Sequence, residues 1–405
     1  MPAETWIVTN QRCDAAALAQ FNSSFTVSNG YLALRGNLQE RREGDAPVTI
    51  VNGVYDELDM FGLLRASGQK RRWLDEKYFD SAGKSPGVAN LPDPLEVRLI
   101  ANNVEVRFAA ERVSSFSQGL DLSTGCYGYS YRIEQDGVGL RITMWRFASI
   151  VDPHRAYMRY RVTPEKDAQL RIWSGISGCT HANMTRERQY IIEQTKVGSN
   201  SCRMRVRTPA RGHVVTLSVE HDLGDAVEPT AVHGVRMGDA VFHEFEFDVK
   251  AGQSVTLERQ IVLTSSEDAR HGAALPAEAG KAESFGGALA QQLAAWDEIW
   301  RIADVKIDGD DDAQRALRFS IFHLISAGPR FTDRLSVPVK LLTGDYYQGN
   351  TFYDTDTYIV PFYSFVLPAL ARTCLNWRHV GLGPGREIAR EYSFEGAKFA
   401  WQAGP

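Results

Sequence analysis

The chain is poor in the features that tie a sequence to special environments. No run approaches the ~18 consecutive apolar residues of a bilayer span, so a helix crossing a membrane is excluded by the sequence. The opening residues, MPAETWIVTN, lack a basic segment followed by an apolar one, and no secretory leader is expected there. Cysteines are few and odd in number: Cys13, Cys126, Cys179, Cys202 and Cys374. No two stand at CxxC spacing and none joins a Cys/His cluster, which argues against a structural zinc. Free thiols in a reducing compartment, and hence a cytoplasmic protein, are the expectation. Excess charge is missing too: 45 Lys+Arg against 50 Asp+Glu leave −5, so no basic nucleic-acid footprint is expected. No repeat of fixed period runs through the 405 residues.

What remains is a large globular chain, 43% hydrophobic and 23% charged, enough to bury a sizeable core and to form two or three domains. From the N-terminus to Ser265 the texture is β. Val97 and Leu99 share one strand face, Asn102-Asn103 marks a turn, and Val104, Val106 and Phe108 share a face on the return, the pattern of a hairpin. Val241, Phe245, Phe247 and Val249 oppose Glu244, Glu246 and Asp248, and after a turn at Gly252 the alternation resumes through Val255, Leu257, Ile261 and Leu263. Segments 141–150, 156–162, 170–176 and 213–219 read as further strands. Many short strands with regular turns predict an antiparallel β-sandwich over 1–265.

The texture then changes. Residues 266–309 read as a helical linker, with Leu293, Trp296, Ile299 and Trp300 at helical spacing. Asp310-Asp311-Asp312 precede a helix over 313–327 and suit its N-terminus, where free N–H groups favour negative charge. The same aspartates imitate the start of a calcium loop, but Ala313 stands where that loop needs glycine and no glutamate closes it, so no metal is expected. From 341 onward aromatics crowd: 13 of 65 residues are Phe, Tyr or Trp, against 29 in the preceding 340. Tyr358, Phe362 and Phe365 lie at helical spacing and read as helix core. The others fall among polar residues, as in a sugar site, where C–H faces stack on rings and hydroxyls need polar partners.

The most informative stretch is LTGDYYQGNTFYDTD, Leu342 to Asp356, continuing through Pro361-Phe362-Tyr363. It resembles the GLTGEGYxGHxFWDTE…PFY signature of glycoside hydrolase family 65. Other blocks fit the same family in the same order: FTVSNGYLALRGNLQE at Phe25–Glu40, VNGVYD at Val51–Asp56, RFASIVDPHRAYMRYRVTP at Arg146–Pro164, Trp296–Phe319, and Trp377–Ala400. The resemblance implies an N-terminal antiparallel β-sandwich (1–265), a helical linker (266–309) and the start of an (α/α)6 catalytic barrel (310–405). The 96 residues from 310 hold only four or five helices, so the barrel is expected to be incomplete, with the family's general acid and phosphate loop beyond Pro405. The resemblance further implies an inverting α-glucoside phosphorylase, inactive as this fragment, that acts with its phosphate co-substrate and without a cofactor on an α-linked glucose disaccharide such as maltose, trehalose or kojibiose. A hydrolase of the same family and a non-catalytic carbohydrate-binding protein are the alternatives. A homodimer is implied, and no nucleic acid or membrane partner.

Residue by residue, the resemblance assigns Asp354 to the hydroxyls of the donor glucose, with Tyr353 beside it, and Trp401 and Gln402 to the acceptor side. This chain departs from the family at Asn350 (His), Tyr353 (Trp), Asp356 (Glu) and Gln402 (Glu). For Asp354, capping a helix over 355–366 is the competing role. For Trp401 it is a place in the core. Asp345 and Asp356 read as supporting carboxylates. Gly381–Arg386 reads as a helix–helix turn, since no strand precedes it and the spacing is not GxGxxG. His154 reads as an ordered hydrogen-bonding residue between strands, and Arg203, Arg205 and Arg207 as a solvated strand face.

Overall fold

The computed structural model describes residues 4–40, 47–59, 84–181, 187–224, 227–271 and 283–404. Two antiparallel sheets dominate. The larger has nine strands, in the order Ile7–Asn10, Val113–Asp121, Cys126–Gln135, Val138–Ala148, Arg155–Pro164, Val255–Ser265, Val214–Leu223, Ser201–Arg207 and Ile191–Val197. The smaller has five: Ala231–Met237, Ala240–Val249, Ala168–Ser177, Val97–Ala101 and Val104–Val106. Their inward positions fill one continuous core, with Leu99, Ile172 and Phe245 from one sheet and Met204, Leu217 and Ile261 from the other. The predicted 97–106 hairpin forms, and its turn places Asn102 and Asn103 at φ 48° and 68°, a conformation asparagine tolerates better than most residues.

Buried polar groups tie the sheets together. Arg259 lies 1% exposed, and its guanidinium donates to the carbonyls of Glu96, Pro94 and Gly175, the last on the facing sheet. Burial lowers its pKa to about 9. Glu40 is enclosed by phenols: Tyr129 donates at 3.0 Å and Tyr160 also donates to its carboxyl. Burial raises the Glu40 pKa, with Tyr160 and Tyr131 opposing it.

One helix interrupts the β region. Helix α1 (Ala15–Ser24) starts where Asp14 Oδ1 accepts the Ala17 N–H at 3.0 Å. The pure-β reading of 1–265 is corrected here; the sign in the sequence was the capping Asp14 ahead of three alanines. A short α2 (Asp268–His271) follows the last strand of the large sheet. Helix α3 (Phe285–Ala303) packs on the sandwich through Trp296 and Trp300. The Trp300 indole donates to Leu122 O at 2.9 Å, and Gln292 bonds the backbone of Ile150 and Thr124. Helix α4 (Asp311–Ala327) is capped by Asp310, whose Oδ1 accepts the Ala313 N–H at 2.9 Å, so the aspartate run serves as a helix start.

Helices α5 (Val360–Val366), α6 (Pro368–Val380) and α7 (Leu382–Glu391) complete the helical part. Two readings are corrected. The Gly381–Arg386 stretch is not a turn throughout: Gly381 alone separates α6 from α7, and Leu382–Arg386 form the first turns of α7. Tyr358 and Phe365 are not core: they are 72% and 89% exposed, while Phe362 is partly buried. Among the described residues, no helix is long and apolar enough to cross a membrane and no group of three or more His, Cys, Asp or Glu could hold a metal. The five cysteines are unpaired.

Candidate functional site

The segment 342–356 is fastened to the sandwich before it reaches its candidate residues. Leu342 sits in a small apolar cluster with Ala33, Val48, Ile50, Tyr55 and Val88. Tyr55 donates its phenolic hydrogen to the Gly349 carbonyl, and burial raises that phenol's pKa, so it keeps the proton it donates. Tyr347 and Gln348 hold φ of 52° and 57°, a left-handed pair costly for residues with a Cβ and held only by surroundings that dictate it. Gly349 follows at φ +67°.

The chain then straightens. Thr351–Phe352 pairs antiparallel with Gln402–Ala403. This two-rung ladder sets Phe352 opposite Gln402 and brings Tyr353 against Trp401 across about fifty residues of sequence. The Tyr353 ring meets Trp401 edge-on at 5.6 Å, and Phe352 meets it at 6.1 Å. The Tyr353 hydroxyl donates to Phe399 O at 2.7 Å. Behind the ladder, Thr355 is fully buried and donates to Val337 O at 2.8 Å.

Each predicted residue has a definite place. Asp354 is exposed, begins the π-turn Thr355–Ile359 that leads into α5, and makes no capping hydrogen bond with its side chain. The competing capping role is therefore absent. Trp401 is 61% exposed, so it is not a core residue. Gln402 is half-buried and donates to Gln348 Oε1 at 3.3 Å, which also accepts from Asn350 Nδ2 at 3.0 Å. Where the resemblance has His and Glu, this chain builds an amide cluster. Asp356 pairs with Arg378, a supporting carboxylate as expected.

Arg378 is the residue the sequence reading missed. Its guanidinium lies 4.9–5.6 Å from the ring centroids of Trp377, Phe399 and Tyr353, so it clamps α6 to the Tyr353 wall. The aromatic excess beyond 341 was the signal: planar guanidinium stacks on flat rings. A cavity of about 500 Å³ lies between the sandwich and these helices, lined by Tyr55, Arg211, His213, Trp377, Arg378 and Phe399 among others. Ala400 and Ala403, flanking Trp401 and Gln402, line it as well, but none of the four predicted residues does. Asp354 and Trp401 are exposed beside the ladder, while Tyr353 and Gln402 are half-buried.

What this site offers is the exposed Trp401 ring set at 74° to that of Tyr353, the exposed Asp354 carboxylate and the half-buried Gln402 amide. A ring plus adjacent acceptors and donors is the chemistry that binds a pyranose.

Comparison with known proteins bears on this arrangement. Residues 8–299 match the profile of the glycosyl hydrolase family 65 N-terminal domain, and residues 318–405 match that of the family's central catalytic domain. A kojibiose phosphorylase of Thermoanaerobacter brockii is 24% identical over 422 residues, covering 99% of this chain and 51% of that protein. A nigerose phosphorylase of Lachnoclostridium phytofermentans is 22% identical, covering 98% and 53%. A 1,2-alpha-glucosylglycerol phosphorylase of Bacillus selenitireducens is 27% identical, covering 98% and 49%. The solved structure of a candidate kojibiose phosphorylase from the human microbiome superposes with a TM-score of 0.83 at 18% identity, over 99% of this chain and 52% of that one. That likeness is one of fold. The chain spans about half the length of the curated relatives it matches.

Proposed function

Because the chain belongs to glycosyl hydrolase family 65, we propose that its 351–354/401–402 hairpin is the sugar-binding edge of an inverting α-glucoside phosphorylase. The observation that supports this is the ladder Thr351–Phe352/Gln402–Ala403, beside which the Tyr353 and Trp401 rings meet although they come from different parts of the chain. In this reading Asp354 accepts hydrogen bonds from two hydroxyls of the donor glucose, an acceptor geometry in which an ionised carboxylate is strong. Trp401 and Tyr353 give the ring a flat wall and exclude water from one face.

The proposed reaction needs two groups. A carboxylic acid protonates the glycosidic oxygen as the C1–O bond breaks, and a phosphate oxygen attacks C1 from the opposite face. The products are β-glucose 1-phosphate and the released acceptor sugar. Phosphate supplies the nucleophile, so no carboxylate base is required and no cofactor enters. The proposal gives this chain the sandwich, the linker, the opening helices of an (α/α)6 barrel and the donor-sugar contacts. It assigns the general acid to residues outside 1–405. The substrate is an α-linked glucoside of the kind after which the relatives are named.

A second reading, carbohydrate binding without turnover, is favoured by the Gln348–Asn350–Gln402 amide cluster, which is neutral where the resembling motif carries His and Glu. Calorimetric titration of the chain with kojibiose, nigerose, maltose and trehalose tests the shared element, and assay of β-glucose 1-phosphate, with and without phosphate, in a protein that extends this chain through the rest of the catalytic domain separates the readings. We expect binding of at least one disaccharide, weakened by roughly tenfold or more in Asp354→Ala. No binding of any of the four, or binding untouched by Asp354→Ala, overturns the proposal.

A further inference from the structure

The outer face of the nine-stranded sheet carries a feature the hairpin site does not use. In an antiparallel sheet, residues directly opposite one another form rows across the strands. One such row reads Thr9, Gly119, Gly128, Trp145. Two glycines side by side in the middle of a sheet forgo packing and strand stability, so their position asks for a reason. Here they form the floor of an open trough of about 430 Å³. A Cβ on Gly128 would lie 2.9 Å from Trp145 Cδ1, so the indole leans over that glycine. A Cβ on Gly119 would lie 3.0 Å from Val8 O and 3.4 Å from Thr9 Cγ2. An aromatic ring covering a cross-strand glycine explains Gly128; it leaves Gly119 unexplained, because no ring atom is among its nearest neighbours.

The walls of the trough are mixed. Trp145 is 37% exposed and supplies the flat side. The next row supplies hydroxyls, Ser117 opposite Ser130. Toward α3, Leu293 and Asp121 close the end. Asp121 Oδ1 is taken by the Ser123 N–H and hydroxyl at 2.9 and 2.6 Å, leaving Oδ2 as an acceptor. A wholly apolar ligand would leave these hydroxyls and this carboxylate unpaired. A strongly polar one would gain nothing from the indole.

We propose that this trough is a second carbohydrate-binding surface, taking a gluco-configured oligosaccharide with one ring stacked on Trp145 and the next lying across Gly119. Glucose suits it on chemical grounds. Its hydroxyls stand equatorial, so each ring offers a C–H face to an indole and a rim of hydroxyls to Ser117, Ser130 and Asp121. The site is separate from the hairpin edge and does not depend on the reading given to Asp354.

The test is calorimetric titration and affinity electrophoresis of the 405-residue chain with maltoheptaose and cellohexaose. The expected result is binding of at least one that persists in Asp354→Ala, is weakened roughly tenfold when Trp145→Ala is introduced in that background, and is largely retained with Trp145→Tyr. If Trp145→Ala does not fold, Ser117→Arg serves: it keeps the indole over Gly128 and crowds the trough, and must weaken binding to the same extent. Failure of the chain to bind either oligosaccharide overturns the proposal. So does binding unaffected by Trp145→Ala or Ser117→Arg, which would leave the indole a cover for Gly128 only, and so does complete loss of binding in Asp354→Ala, which would place all affinity at the hairpin.

Discussion

Tyr55, on the strand Tyr55–Asp59 that pairs with Lys84–Val88 outside the two large sheets, donates to the carbonyl of Gly349, 294 residues away. That bond seats the left-handed Tyr347–Gln348 pair and so sets where the following ladder begins. It also brings the backbone at Gly349 so close to that strand pair that a Cβ there would lie 2.6 Å from Val88 Cγ1.

Gly349→Ala should therefore destabilise the chain by about 1–3 kcal/mol, from a positive φ and a clash acting together. Chemical denaturation measures it. Adding Val88→Ala should recover little of the loss, because it removes Cγ1 but keeps Val88 Cβ, itself 2.7 Å from the added Cβ.

His154 gives a pH dependence. It lies against Asp268, with Nε2 to Oδ2 at 3.4 Å, and Tyr31 donates to the other oxygen of Asp268 at 2.7 Å. Burial opposes charge on the imidazole, but Asp152 and Asp268 outweigh it and raise the pKa to about 9. A raised histidine stabilises the fold fully below its ordinary 6.5 and loses that contribution as pH rises through about 9. Between pH 6.5 and 9 the wild type should lose thermal stability more steeply than His154→Gln. Parallel curves for the two would refute this.

Glu40 has the same sign and a different cause. Burial raises this carboxyl above its ordinary 4.5, so the fold favours its protonated form and is progressively disfavoured as pH rises past that value. Glu40→Gln keeps the shape and removes the charge. Its melting temperature relative to wild type should climb between pH 4 and 7; a constant difference would show that the phenols fully solvate the anion.

Arg378→Met should leave the half-buried Asp356 carboxylate without its partner and cost about 1–3 kcal/mol. The double variant with Asp356→Asn should recover much of this, and the recovered fraction, read by urea denaturation, measures the coupling. Equal stability of Arg378→Met and wild type would mean that the guanidinium contributes only as a flat surface between the rings.

The two-residue alternation of 97–108 and 241–263, the Asn102-Asn103 turn and the Asp310 cap were readable without coordinates. Each is set by residues within a few positions of one another, and backbone geometry alone converts that spacing into an element. The order of sequence blocks likewise named the family. The tertiary structure decided the rest. Tyr358 and Phe365 have the spacing of a buried stripe yet face outward, since periodicity records which residues share a face and not what covers it. The meeting of Tyr31, His154 and Asp268, the clamp of Arg378 on three rings and the open trough beside Trp145 all join strands or helices distant along the chain. Only the packing of those elements brings such groups within reach of one another, and no local pattern encodes that distance.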